Sequence, residues 1–138
     1  MIMKRSLMVA GVCALALAGC AQPMKFAGPI TAGQAGTRSA GTGMATATLQ
    51  PDTKALTYNV EYTGLSGPAT AAHFHGPAAP GASAGVVVPF PSTATPIKAG
   101  ATLTDAQAAD LIAGRWYANI HTAANPNGEI RGQMQRTQ

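Results

Sequence analysis

Cysteine is nearly missing from this chain. Only Cys13 and Cys20 occur, both within the first twenty residues. If that leading segment is processed, no pair remains for an internal disulfide, and the rest of the chain must be held by its core alone. Charge is also sparse, at 10 % of residues. The basic residues beyond the leader, Lys25, Arg38, Lys54, Lys98, Arg115, Arg131 and Arg136, stand singly rather than in a patch interleaved with aromatics, which argues against nucleic acid as a partner. No Ser/His/Asp or Cys/His set, no carboxylate pair and no phosphate-binding loop appears. Histidine is rare as well, but its three copies sit in two short segments.

The N-terminus is the one long apolar run. Lys4 and Arg5 precede Leu7–Ala18, a stretch too short to span a membrane as a mature helix, and small residues follow it. This is the pattern of an export signal. Leu17-Ala18-Gly19-Cys20 resembles the bacterial lipobox, in which the cysteine is lipidated (palmitate among its acyl chains) and becomes the first mature residue. An ordinary cleaved signal or an uncleaved anchor is the alternative. The expected organisation is a signal over 1–19, a lipidated tether over 20–24 and one β-domain over 25–138. Ala21 and Gln22 follow the cysteine with no aspartate, so the lipobox resemblance implies the outer membrane, facing the periplasm or the exterior. Without Lys4 and Arg5 the net charge falls from +4 to +2, so the basic pI of 9.4 overstates the charge of the mature chain.

Beyond the leader the pattern is that of short strands. Lys25-Phe26-Ala27 reads as a short edge strand. Thr42–Leu49 alternates Thr with small or apolar residues, and Leu56, Tyr58, Val60 and Tyr62 share one face of Lys54–Tyr62, so the two segments form a hairpin about Gln50-Pro51-Asp52-Thr53. Ala69–His75 and Gly85–Phe90 are further strands, separated by a Gly/Pro/Ala loop. Thr104–Ala113 is the one helix, with Thr104 as cap, Asp105 in the first turn and Gly114 to end it. Trp116–His121 is a strand, Asn125-Pro126-Asn127-Gly128 a turn and Glu129–Met134 the closing strand. The predicted fold is all-β, a Greek-key sandwich or barrel of about seven to eight strands with one short helix.

His73 and His75 are two apart on a strand and point to one side, with Phe74 on the other. If the Trp116–His121 strand lies beside them, His121 joins them. Three imidazoles with an open position form a metal site suited to copper, with zinc behind it. The alternative is structural: imidazoles paired on a polar face and hydrogen-bonded to Asn, Thr or backbone. Met24, Met44 and Met134 are candidate soft ligands for Cu(I), although a strand methionine is more often core. Glu129 and Arg131 share a strand face, with Arg115 as another partner, and suggest an ion-pair network rather than catalysis. Trp116 and Tyr117 alternate faces, one to the core and one beside the site or the surface.

These same residues carry a resemblance. AAHFHGPA, GVVVPF and LIAGRWYANIHTAANPNGEIRGQM, in that order, resemble the CHRD domain, a module found in chordin and in exported bacterial proteins. A second, more distant resemblance is to the copper half of Cu,Zn superoxide dismutase, where an HxH pair and a later histidine after a Gly-Arg segment supply three copper ligands. By position His73, His75, His121 and Gly114-Arg115 match it. A bridging histidine, a zinc loop and a disulfide pair are absent, which argues against dismutase activity and leaves the chain closer to a binding protein than an enzyme. The expected function is an exported, lipid-anchored envelope protein with a three-histidine metal site. Its rival is a structural or protein-interaction module of the envelope with no metal role.

Overall fold

The computed structural model describes residues 21–138; the leader over 1–19 and Cys20 lie outside the described residues. Nine strands and two helices follow in order: β1 (Met24–Thr31), α1 (Ala32–Ala35), β2 (Thr42–Leu49), β3 (Ala55–Thr63), β4 (Ala69–His75), β5 (Val86–Pro89), β6 (Ile97–Thr102), α2 (Asp105–Ile112), β7 (Tyr117–Thr122), β8 (Ile130–Gln133) and β9 (Gln135–Arg136). The fold is all-β, as the alternation predicts. Among the described residues no helix is long and apolar enough to cross a membrane.

All pairings are antiparallel, in the order β5-β4-β7-β8-β1-β2-β3-β6, with β9 beside β1. The chain crosses between the two halves from β3 to β4, from β5 to β6 at the two ends of the sheet, and from β6 to β7 through α2. The result is a nearly closed barrel. Its interior is filled by the inward residues of both halves: Ala45, Ala47 and Leu49 of β2, Leu56, Tyr58 and Val60 of β3, Phe74 of β4, Ile120 of β7 and Ile130 of β8. Tyr58 meets Phe74 edge-on at 5.2 Å across this core, and Trp116, fully buried, lies 5.7 Å from Phe74.

The β2–β3 hairpin forms as expected, and its register places Leu49 opposite Leu56. In α2 the Thr104 hydroxyl accepts from Gln107 N at 3.2 Å and Gln107 Oε1 accepts from Thr104 N at 2.9 Å, a reciprocal cap. Gly114 follows the helix at φ 71°, as the stop signal requires.

Two expectations are corrected. The segment around Phe26 is no edge strand. It belongs to an eight-residue strand paired with β2 along its whole length and with β8 and β9 on its other side. Its Gly, Ala and Pro content reads as weak strand material, and long-range pairing overrides that preference. A second helix, the single turn α1, and the strand β6 were not expected either.

The two halves of the barrel differ in what covers them. In β2 and β3 buried and exposed positions alternate. In β7 and β8 nearly every position is buried, on both faces. Their outward residues are covered by the loop between β4 and β5. Its carbonyls at Ala78, Ala82 and Ala84 bond Gln133, Arg131 and His75 respectively. This covered polar face carries the histidines.

Candidate metal centre

Register brings the three histidines together. In the β4–β7 ladder Ala71 lies opposite His121, His73 opposite Asn119 and His75 opposite Tyr117, so all six side chains project from one face. Phe74 projects the other way, into the core at 1 % exposure. The ring centroids are 5.4 Å apart for His73–His75, 5.1 Å for His73–His121 and 5.9 Å for His75–His121. One nitrogen from each ring falls within 4.8 Å of the others. Among the described residues this group contains no carboxylate and no thiol.

Backbone carbonyls select which nitrogen each ring offers. A carbonyl only accepts, so His75 Nδ1, 3.0 Å from Ala84 O, donates to it, as does His121 Nδ1, 2.8 Å from Pro126 O. Both rings then carry their lone pair on Nε2. His75 Nε2 is buried and has no hydrogen-bond partner. His121 Nε2 lies 3.3 Å from His73 Nδ1, a contact that a proton on His73 can bridge. A metal ion standing in that proton's place would meet three neutral imidazole nitrogens, and the fixed Nδ1–H contacts are the outer-shell pattern that orients histidine ligands.

Electrostatics favour the neutral form of His73 and His75. His73 titrates below the ordinary imidazole value because burial disfavours its charged form and His121 and His75 repel it. His75 is lowered too. Burial is the largest cause, the Ala84 carbonyl works against it, and His121 and Arg131 add repulsion. Neutral imidazole is the form that coordinates.

Around the cluster the polar face is tightly built. Tyr117 stacks on His75, and the Arg131 guanidinium carbon lies 3.4 Å from the centre of the Tyr117 ring. Of Trp116 and Tyr117, then, the first is core and the second supports the site. Arg131 has no carboxylate partner among the described ion pairs. Arg115 pairs with Asp110, and Glu129 is held by hydroxyls and amides instead. The expected Glu129–Arg131–Arg115 network is therefore absent. Met134 is fully buried and belongs to the hydrophobic core, not to the histidine group. Met44 is exposed on β2 in the other half of the barrel, and Met24 packs against the core.

The convergence of the three histidines is legible in the sequence, and the carbonyls that hold two of the rings are not. Ala84 and Pro126 act through backbone carbonyls, which leave no side-chain signature. Two open grooves, of about 480 and 590 Å³, lie elsewhere, along β1, β2, β3 and β6, and neither contains a histidine.

The sequence profile of the CHRD domain matches residues 26–134, most of the chain. No curated protein matches it. No solved structure matches either, so the likeness to superoxide dismutase rests on the order of the motif alone.

Proposed function

The chain belongs to the CHRD domain family, and from that premise we propose that it is an exported envelope protein, anchored through lipid on Cys20, that binds a transition metal through His73, His75 and His121. Copper is the favoured ion and zinc the second. The observation that carries the reading is the meeting of three ring nitrogens within 4.8 Å, one of them, His75 Nε2, buried without a partner. An all-imidazole set without carboxylate suits copper and zinc over the hard cations, and copper stands above zinc in intrinsic affinity for such ligands. His73 and His121 are only half-buried, which leaves a way in for an ion and an open coordination position. The proposed location is the outer membrane, facing the periplasm or the exterior.

The rival reading is an envelope interaction module in which the histidines are structural. What favours it is that His75 and His121 each already hold a backbone carbonyl. A metal titration separates the two. The purified chain should bind Cu(I) or Cu(II) at one equivalent, and His121→Ala should abolish that stoichiometric binding while the protein stays folded. No binding by the unaltered chain, or equal binding by His121→Ala, would remove the metal reading and leave the interaction module.

A further inference from the structure

Glu129 is wholly buried, at 0 % exposure, just before β8. No lysine or arginine pairs with it among the described residues, whose ion pairs are Lys54–Asp105 and Arg115–Asp110. Five donors surround it instead. Oε1 accepts from Ser39 Oγ at 2.5 Å and Ser66 N at 2.7 Å, and Oε2 accepts from Ser66 Oγ at 2.5 Å, Thr122 Oγ1 at 2.5 Å and Asn125 Nδ2 at 3.3 Å. Burying an ion with no counter-ion is costly, and an apolar residue of similar volume would fill the space at less cost. Such a fully satisfied carboxylate serves to fix geometry.

Two of those donors belong to one turn. Thr122 closes β7 and Asn125 opens the return to β8; their backbones bond each other, Asn125 N to Thr122 O at 3.1 Å and Thr122 N to Asn125 O at 3.3 Å, and Gly128 N adds a bond to Asn125 O at 3.0 Å. The next residue is Pro126, whose carbonyl takes the Nδ1 proton of His121 at 2.8 Å. Asn127 O is tied to the same strand by Asn119 Nδ2 at 3.2 Å. The carboxylate, the turn and the imidazole thus form one connected chain of hydrogen bonds. Ser39 and Ser66, far away in sequence, brace it from outside.

We infer that Glu129 is a positioning residue for the histidine site: by fixing the Thr122–Asn125 turn it aims the Pro126 carbonyl at His121 Nδ1, keeps the proton there and leaves Nε2 as the ligand atom. The metal role of this arrangement rests on the reading given under Proposed function; the tautomer control does not. Glu129 makes no contact with the ion itself. Losing an outer-shell partner of this kind costs a metal site roughly 10–100-fold in affinity.

The test compares the full chain with Glu129→Gln, which keeps the shape and loses the charge. ¹⁵N spectra of the imidazole rings at neutral to mildly basic pH report the His121 tautomer without metal, and copper titration reports affinity. The expected result is a His121 ring shifted away from pure Nδ1–H, unchanged His75 resonances and an affinity loss of about 10–100-fold. A folded Glu129→Gln protein with the His121 tautomer unchanged would overturn the inference and reduce Glu129 to a staple between loops. Should that variant fail to fold, Asn125→Ala removes a single donor from the same chain. A His121 tautomer unmoved by Asn125→Ala overturns the inference equally. If the unaltered chain binds no copper, the metal reading fails, and the ring spectra still decide the role of Glu129.

Discussion

Tyr117 lies flat on His75, with ring centroids 4.9 Å apart and planes within 2° of parallel. Arg131 lies over the same tyrosine ring. Because His75 comes from β4 and Arg131 from β8, on either side of β7, the phenol ring separates the guanidinium from the imidazole. The Tyr117 hydroxyl is also tied to the cover loop, accepting from Ala84 N at 3.2 Å and donating to Ala84 O at 3.3 Å.

Two substitutions separate these roles. Tyr117→Phe keeps the stack and gives up only the hydroxyl contacts, for about 1 kcal/mol. Tyr117→Ala opens a cavity under Arg131 and His75, at about 3 kcal/mol or more. Denaturant midpoints at fixed m measure both. Equal losses in the two variants would mean that the hydroxyl, not the ring, holds the face together.

The proposed ligand set makes a demand tied to strand parity. His73→Ala should lower copper affinity by more than about 100-fold, since a ligand counts for more than its outer-shell partner. Adding Phe74→His to that variant should not restore binding, because position 74 points into the core on the far side of β4. Isothermal titration of the single and double variants checks this. Recovery in the double variant would show that β4 does not present its residues in this register.

Stability should fall in two steps as pH drops. His73 and His75 have folded values below the unfolded 6.5, with burial the largest cause in each. Such groups stay neutral in the folded protein while the unfolded chain already takes up protons. Their contribution is complete above about 6.5 and declines below it. Glu129 supplies the second step. Burial alone would raise its carboxyl, but the donors from Ser39, Ser66 and Thr122 outweigh burial and hold it at about 2, against 4.5 for a free side chain. Its contribution is present above about 4.5 and lost as pH falls toward 2. Urea midpoints across pH should show both steps, and Glu129→Gln should remove only the lower one. A lower step that survives in Glu129→Gln belongs to other groups.

The proposed lipid anchor has its own test. Cys20→Ser should block lipid attachment, since a serine hydroxyl cannot form the thioether, and the protein should leave the membrane fraction. Mass spectrometry of the mature chain and fractionation read this. Unchanged mature mass with equal membrane retention would exclude Cys20 as the anchor.

Much of this architecture can be read from local pattern, and the remainder has a common cause. The i, i+2 spacing of His73 and His75, the Asn-Gly turn after His121 and the caps of α2 are all short-range signals, and each has its counterpart in the fold. Glu129 shows where such signals stop. Its partners Ser39 and Ser66 lie 90 and 63 residues away, and nothing near them in sequence marks a shared carboxylate. The β4–β5 loop is similar: Ala78, Ala82 and Ala84 look like filler, yet their carbonyls satisfy polar side chains of β8 and β4. β1 was misplaced at an edge because its Gly, Ala and Pro content hides a strand whose position depends on partners from both ends of the chain.

The turn that carries Pro126 allows a test of packing at a single atom. Gly128 has φ 115°, a conformation that L side chains rarely adopt, and a Cβ there would run into the side chain of Asn119. Asn119 is 5 % exposed and holds the turn through Asn127 O, so it cannot swing aside freely. Gly128→Ala should therefore destabilise by backbone strain, about 1–3 kcal/mol, and further by the collision. Asn119→Ala removes the collision but leaves the strain, and it also gives up the bond to Asn127. The double variant should then be more stable than the sum of the two single losses implies, by about 0.5–3 kcal/mol, the range for residues in contact. Chemical denaturation of all four proteins closes the cycle. Strict additivity would show that Gly128 is required for its backbone angle alone, and that Asn119 does not press against the turn.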